Sequence, residues 1–132
     1  MNIININDNN FKESNNYKEF MSNNPSHGYL NIRTNLNNLA YPLEGVLIIV
    51  SHIIDNQKVI FFEGKTDESG MINNIVLPTP LVDSNDLVVP KCINYDIEAI
   101  YLKDNIDTMY NVLMYSDISV NQDINIIDKG AY

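Results

Sequence analysis

The stretch that decides the fold class is TDESGMINNIVLPTP, residues 66–80. A polar turn opens a short apolar segment and prolines follow it, because proline cannot donate a hydrogen bond to a β-ladder and so marks the end of a strand. Residues 41–50 show the same order, with a turn around Pro42 before an apolar run. Both segments are typical of antiparallel strands joined by tight turns.

The chain from Gly28 onward continues this pattern. Its apolar residues are mainly Ile, Leu and Val, the branched side chains that suit a pleated sheet. Alternation of apolar and polar residues in some segments, and apolar runs bounded by turns in others, predict seven short strands, at residues 29–36, 45–54, 58–65, 71–77, 95–102, 108–115 and 119–127. This spacing predicts an all-β fold, a seven-stranded Greek-key β-sandwich with an N-terminal extension.

Residues 1–27 differ in composition, so we treat them as an arm that precedes a β-sandwich domain at residues 28–132. Ile4 and Ile6 alternate with asparagines in a short strand pattern, and residues 14–21 fit a short helix. Neither piece would be stable in isolation. Two interpretations stay open, a flexible tail or an arm that docks on another copy or another protein. For docking, the predicted partner-binding residues are Ile4, Ile6, Phe11, Tyr17 and Phe20.

The charge of the chain limits its partners. The 132 residues carry a formal net charge of −9, and the eight basic residues are scattered. This excess repels nucleic acid and anionic membranes, so we expect neither as a partner. No apolar run approaches the roughly 18 residues of a membrane span. The N-terminus lacks the basic and apolar regions of a signal peptide, so we expect synthesis in the cytoplasm without an encoded export signal.

Residues that support catalysis or metal binding are few. Cys92 is the only cysteine, and His27 and His52 show no metal-ligand spacing with it. The close carboxylate pairs fall in predicted turns, where Asp favours the backbone geometry, at Asp67/Glu68, Asp83/Asp86 and Asp104/Asp107. We therefore predict a protein that is not an enzyme, with no catalytic residue, no cofactor and no metal site.

A set of tyrosines leaves a carbohydrate-binding alternative open. The set lies in the predicted strands, at Tyr95, Tyr101, Tyr110 and Tyr115. Such rings either line a platform for a sugar or pack as pairs across neighbouring strands.

The order of several motifs resembles a known family. The motifs are GYLNIRT at 28–34, YPLEGV at 41–46, TDESG at 66–70, LPTP at 77–80 and YDIEA at 95–99. Together, over about residues 28–128, they resemble the carboxypeptidase regulatory-like (transthyretin-like) β-sandwich domain. The version they resemble most is the non-catalytic N-terminal part of clostridial spore-cortex-lytic enzymes. The family's Gly-Tyr pair before the strand at 108–115 is replaced here by KDNI at 103–106. The resemblance implies a non-catalytic accessory module.

These observations predict a non-enzymatic structural or interaction module that assembles with itself or with partner proteins through its arm and its sheet edges. The expected settings are a clostridial spore layer or a phage-tail-like or appendage assembly. The alternative function is a cell-wall glycan-binding module that acts together with a peptidoglycan hydrolase.

Overall fold

The computed structural model describes residues 1–37, 41–82 and 90–127. Its elements, in chain order, are β1 (Asn2–Asn5), α1 (Asn9–Lys12), α2 (Asn15–Asn23), β2 (Ser26–Leu36), β3 (Leu47–Ile54), β4 (Gln57–Lys65), β5 (Met71–Thr79), β6 (Cys92–Tyr101), β7 (Ile106–Tyr115) and β8 (Ser119–Ile126). Within these residues, neither helix is long and apolar enough to cross a membrane.

The strands form two sheets that pack as a sandwich. The five-stranded sheet has the order β1-β4-β3-β6-β7, and the three-stranded sheet has the order β5-β2-β8. β1 pairs with β4 and β8 pairs with β2 in parallel, whereas the other neighbours are antiparallel. The predicted all-β, two-sheet fold is confirmed. The described part of the chain contains eight strands rather than seven, because the arm supplies β1.

The turns use residues that tolerate a left-handed backbone. Asp55 and Asn56, between β3 and β4, have φ of 49° and 59°, as a tight hairpin requires. Gly70, before β5, has φ of 72°, and a Cβ there would lie 2.7 Å from the carbonyl oxygen of Thr34. The Asp67 carboxylate accepts backbone hydrogen bonds of 2.9 and 3.0 Å within the same turn. These residues fix the direction in which the chain enters β4 and β5.

Strand β5 ends at Thr79, beyond the predicted end at residue 77. Pro78 lies inside the ladder, opposite His27 of β2. Because β5 is an edge strand, only one side of its backbone is paired, and proline is tolerated there. The prediction that the prolines terminate this strand is therefore wrong by a short distance.

The core lies between the inward faces of the two sheets. Fully buried side chains come from both, including Leu30, Ile32, Ile48, Val50, Leu77, Tyr95, Ile97, Ile124 and Ile126. Tyr95 donates its hydroxyl hydrogen bond to the carbonyl oxygen of Pro78 across 2.6 Å. Near the 66–70 turn, the buried hydroxyls of Thr34 and Thr66 both donate to the carbonyl oxygen of Leu43, at 2.8 Å each. Polar groups at this end of the core are thereby satisfied.

The arm is folded against its own sandwich. The three-stranded sheet is narrower than the five-stranded one, and α2 adds the ring of Phe20 to the core. That ring lies 5.4 Å from the ring of Phe61 on β4 and 5.7 Å from that of His52 on β3. Asp8 and Ser14 cap the two helices by accepting N–H hydrogen bonds of 3.0 and 3.2 Å. The core therefore extends across the boundary placed at residues 27 and 28.

Candidate interaction surfaces

The predicted partner-binding residues all lie where the arm meets the sandwich. Phe11 and Phe20 are only 5% and 8% exposed. Tyr17 is half-buried, with its ring edge-on to that of Phe11 at 5.8 Å. Ile4 and Ile6 are half-buried beside β4, and the Ile6 N–H donates to a β4 carbonyl at 2.9 Å. Phe20 thus anchors the arm to its own sandwich, whereas the ring of Phe11 packs on Tyr17 within the arm, and neither phenylalanine presents an exposed ring to a partner.

The histidine nearest this junction has a packing role. The ring of His52 lies between those of Phe20 and Tyr95, at 5.7 and 5.6 Å, and its Nδ1 lies 2.8 Å from the carbonyl oxygen of Asn94. The carbonyl can only accept, so Nδ1 carries the proton. A hydrogen bond from Asn16 to Asp55, 3.0 Å long, also ties α2 to the β3–β4 hairpin.

The other candidate chemical residues are dispersed. Cys92 and His27 are exposed, at the start of β6 and on β2. Across residues 1–37, 41–82 and 90–127, no three His, Cys, Asp or Glu side chains are grouped to hold a metal ion. The predicted pair Asp83/Asp86 lies outside the described residues.

A pair of carboxyls lies on the outer face of the five-stranded sheet. The pKa of Glu98 on β6 is raised. The largest cause is a hydrogen bond with Asp107 of β7, followed by burial and by the negative charge of Asp107. Lys58, whose Nζ is 3.7 Å from Glu98 Oε1, opposes this rise. A hydrogen bond between two carboxyl groups requires a proton between them, so this contact favours the protonated form of Glu98. The sequence grouped Asp107 with Asp104, because spacing along the chain does not reveal a neighbour on the adjacent strand.

The outer face of the three-stranded sheet carries a polar groove of about 480 Å³. The guanidinium of Arg33 makes two hydrogen bonds of 3.1 Å to the Asp123 carboxylate. Beside them, Asn31 donates to Asn121 at 3.0 Å, and Asn73 also lines the groove. The ion pair is more than half exposed, so it adds little stability. The groove presents amide donors and acceptors together with one planar ion pair.

The tyrosine set does not form an exposed aromatic platform. Tyr95 is fully buried, and its burial raises the pKa of its hydroxyl. Tyr101 and Tyr110 are half-buried and pack against the core, and Tyr115 is half-buried at the end of β7. Of the two interpretations, packing describes Tyr95, whose ring lies edge-on to that of Phe61 at 5.2 Å.

The described residues form sheets with four edge strands, and three of these strands are poorly suited to accept another strand. β1 offers only four residues. β5 contains Pro78, a break in its register with β2 and a left-handed residue at Asn74. β8 directs polar side chains outward along its length, at Ser119, Asn121 and Asp123. Short length, proline, bulges and polar side chains are the features that keep natural sheet edges from pairing.

The fourth edge, β7, lacks these features. We call Ile106–Tyr115 the β7 edge. All ten of its residues pair with β6, and no other described strand lies on its far side. It has no proline, no lysine and one charged residue, Asp107, and it exposes Met109 (59%) and Leu113 (50%) on its outer face. Sequence reasoning missed this edge, although the run of ten residues with a single charge is visible at 106–115.

Comparison with known proteins adds no family to these observations. A scan against models of protein families and a search of curated proteins found no match for this chain.

Proposed function

We propose that the chain is a non-enzymatic structural or interaction module that assembles with itself or with partner proteins through its arm and its sheet edges. The observation that carries this proposal is the addition of β1 to the edge of β4. Residues Asn2–Asn5 pair in parallel with residues 57–60. An edge of this sandwich thus already accepts a strand from a separate segment, which is the contact used in strand-addition complexes.

The same contact forms equally well between copies. β1 is largely exposed, with Ile3 at 65% exposure, and Met1 just before it is 77% exposed. The arm joins β2 through a short connection, Asn24 and Pro25, between the end of α2 and the start of β2. If this connection extends, the arm can reach a neighbouring sandwich, where Phe11 and Phe20 would make the contacts they make in their own chain. Exchange of an identical element in this way costs little free energy, and a short hinge favours it.

Mixing two single-cysteine proteins tests the exchange. Ile3 and Lys58 are opposite each other in the β1–β4 pairing, so cysteines at these positions are within disulfide reach. One protein carries Ile3→Cys and the other Lys58→Cys, both with Cys92→Ser. A disulfide between them, increasing with concentration, is expected only if arms exchange. The control pairs Ile3→Cys with Glu63→Cys, further along β4. Equal disulfide yields in the two mixtures, or no disulfide in either, would show that the arm takes no part in assembly.

We also propose that the sandwich has the Greek-key connections of the transthyretin-like class. In support, the chain passes from the five-stranded sheet to the three-stranded sheet between β4 and β5, and returns between β5 and β6.

The setting we propose is the one implied by the resemblance, a spore layer, with a phage-tail-like or appendage assembly as the alternative. Mass spectrometry of fractionated spores from the source organism tests this setting.

A second function, binding of cell-wall glycan, is favoured by the polar groove. Amides both donate and accept hydrogen bonds, as sugar hydroxyls do, and the groove contains Asn31, Asn73 and Asn121. Its volume of about 480 Å³ lies in the range of small-ligand sites. Retention on purified peptidoglycan should fall for Asn121→Ala. It should be unchanged for Asn111→Ala, an exposed amide on the other sheet. No retention of the wild type at low salt would exclude this function.

A further inference from the structure

We infer that the β7 edge of this chain pairs antiparallel with the β7 edge of a second copy, with Asn111 on the two-fold axis. Two five-stranded sheets would then continue as one sheet across the dimer. This inference rests on the proposed assembly function, but it uses the edge of the sheet opposite to the arm.

The backbone of β7 is regular and can pair with a partner strand along its free side. β6 pairs with β7 along its whole length, from Ile106 to Tyr115, which keeps the strand extended and regular. In an antiparallel pair, alternate residues direct their N–H and C=O groups away from the neighbour. β7 therefore presents a straight row of donors and acceptors, without the bulges that interrupt the β2–β5 and β3–β4 ladders. Such a row is a template for an added strand.

The side chains of β7 favour a second copy of this chain as the partner, because the strand is complementary to itself. A two-fold axis through Asn111 places each residue opposite one on the same face of the sheet. On the outer face, Met109 lies opposite Leu113 of the second copy, and Asn111 lies opposite itself. The charged residue Asp107 lies opposite the Tyr115 of the second copy. Apolar groups meet apolar groups, and a carboxylate meets a phenol.

Neighbouring registers lose this match. An axis through Tyr110 would place Asp107 opposite Leu113 and Met109 opposite Asn111. An axis through Val112 would place Leu113 opposite Asn111 and leave Asp107 beyond the paired segment. The Asn111 register alone buries the two exposed apolar side chains, Met109 and Leu113, against each other.

Within the paired β7 segments, whose one charged residue is Asp107, the charges of the two copies are compatible with this register. Each chain carries −9, which opposes association at long range. The two Asp107 carboxylates, however, lie eight residues apart along the joined strands, or roughly 26 Å, which is several screening lengths at physiological salt. Dimer formation should therefore strengthen with added salt, unlike an interface held by ion pairs.

Single-cysteine variants in a Cys92→Ser background test the register. Asn111→Cys places its sulfur opposite that of the second copy. The Cα separation of either kind of antiparallel pair, about 4.5 or 5.5 Å, suits a disulfide. Asp107→Cys is the matched control, on the same strand and face but far from its counterpart. We expect covalent dimer for Asn111→Cys and little for Asp107→Cys. Equal yields, or none from Asn111→Cys, would overturn the register.

Light scattering tests the dimer itself. We expect a wild-type mass that rises to that of a dimer with concentration, and a monomer for Met109→Lys, which places a cation opposite Leu113 at the interface. Leu113→Lys is the second variant should Met109→Lys misfold, and circular dichroism checks the fold of both. A wild-type monomer at millimolar concentration overturns the inference. The β7 dimer is also overturned if both lysine variants still form dimers. If the Ile3→Cys and Lys58→Cys proteins crosslink in that case, the proposed assembly function stands, because the copies then assemble through their arms.

Discussion

Truncation of one arm side chain, Phe20→Ala, should destabilise the whole sandwich. Phe20 is 8% exposed and its ring contacts those of Phe61 and His52. Replacing a buried phenylalanine by alanine removes its transfer free energy and leaves a cavity, which together cost about 3–5 kcal/mol. Because Phe20 lies at the margin of the core, where neighbours can relax, we expect about 3 kcal/mol. Domains of this size have only about 5–15 kcal/mol of stability.

The loss is measured by urea denaturation followed by circular dichroism, with thermal melts in parallel. The midpoint temperature should fall by roughly 10 °C. Limited proteolysis then distinguishes global unfolding from release of the arm. If the arm belongs to the same cooperative unit, cleavage within residues 1–24 and loss of sheet structure should occur together.

The matched control is Ile3→Ala, in the same arm but 65% exposed, which should change the unfolding free energy by less than about 0.5 kcal/mol. The reasoning fails if Phe20→Ala also costs less than about 1 kcal/mol while the arm becomes sensitive to protease. That result would make the arm a separate element that is docked on a sandwich complete without it.

Three further results are expected. Thr66→Val should cost about 1–3 kcal/mol in urea denaturation, because the buried N–H of Val46 loses its acceptor at 3.0 Å. Gly70→Ala should lower the melting temperature more than Gly45→Ala does, because both have positive φ but only at Gly70 would the new Cβ approach backbone atoms within 3 Å. The raised pKa of Glu98 means that its contribution to stability is present below the unfolded-state pKa and is lost as pH rises through the folded-state value. Glu98→Gln should therefore raise the unfolding midpoint relative to wild type more at pH 7 than at about pH 4, and the reverse order would contradict the shared proton.

Local sequence patterns were sufficient for most of the sandwich. Alternation identified strands such as β2 and β6, which bury one face and show a period of two, whereas β3 was identified as a short apolar run after a turn. The turns at 55–57 and 67–70 were visible because Asp, Asn and Gly are chosen for left-handed backbone. The end of β5 was missed because a proline is forbidden in a central strand but permitted at an edge, and the order of strands in a sheet is not a local property.

The position of the arm on the sandwich could not be predicted either, because it too depends on the order of the strands in the sheet. Ile4, Ile6 and the helical face with Phe20 were recognised as apolar, but the pattern could not say which surface covers them. In the structure, the surface that covers Phe20 comes from residues distant in the sequence, since its ring contacts His52 and Phe61. Likewise, Glu98 and Asp107 become neighbours only through the β6–β7 pairing. Candidate contact residues could thus be named from the sequence, whereas their partners required the register of the sheets.

The two ends of the five-stranded sheet explain why such a module would assemble to a limited size. A sheet with two open edges can add copies at both and grow without end, which is the hazard of exposed strands. Here β1 covers the β4 end with a strand of only four residues, and among the described strands only β7 keeps a long edge with exposed apolar side chains. Because a two-fold contact uses the same surface on both copies, pairing through β7 consumes the open edge of each and closes at two. In the proposed dimer, the arm would therefore have a role in assembly even when it stays on its own chain, since its release would expose the β4 edge and convert a closed dimer into a chain that can extend.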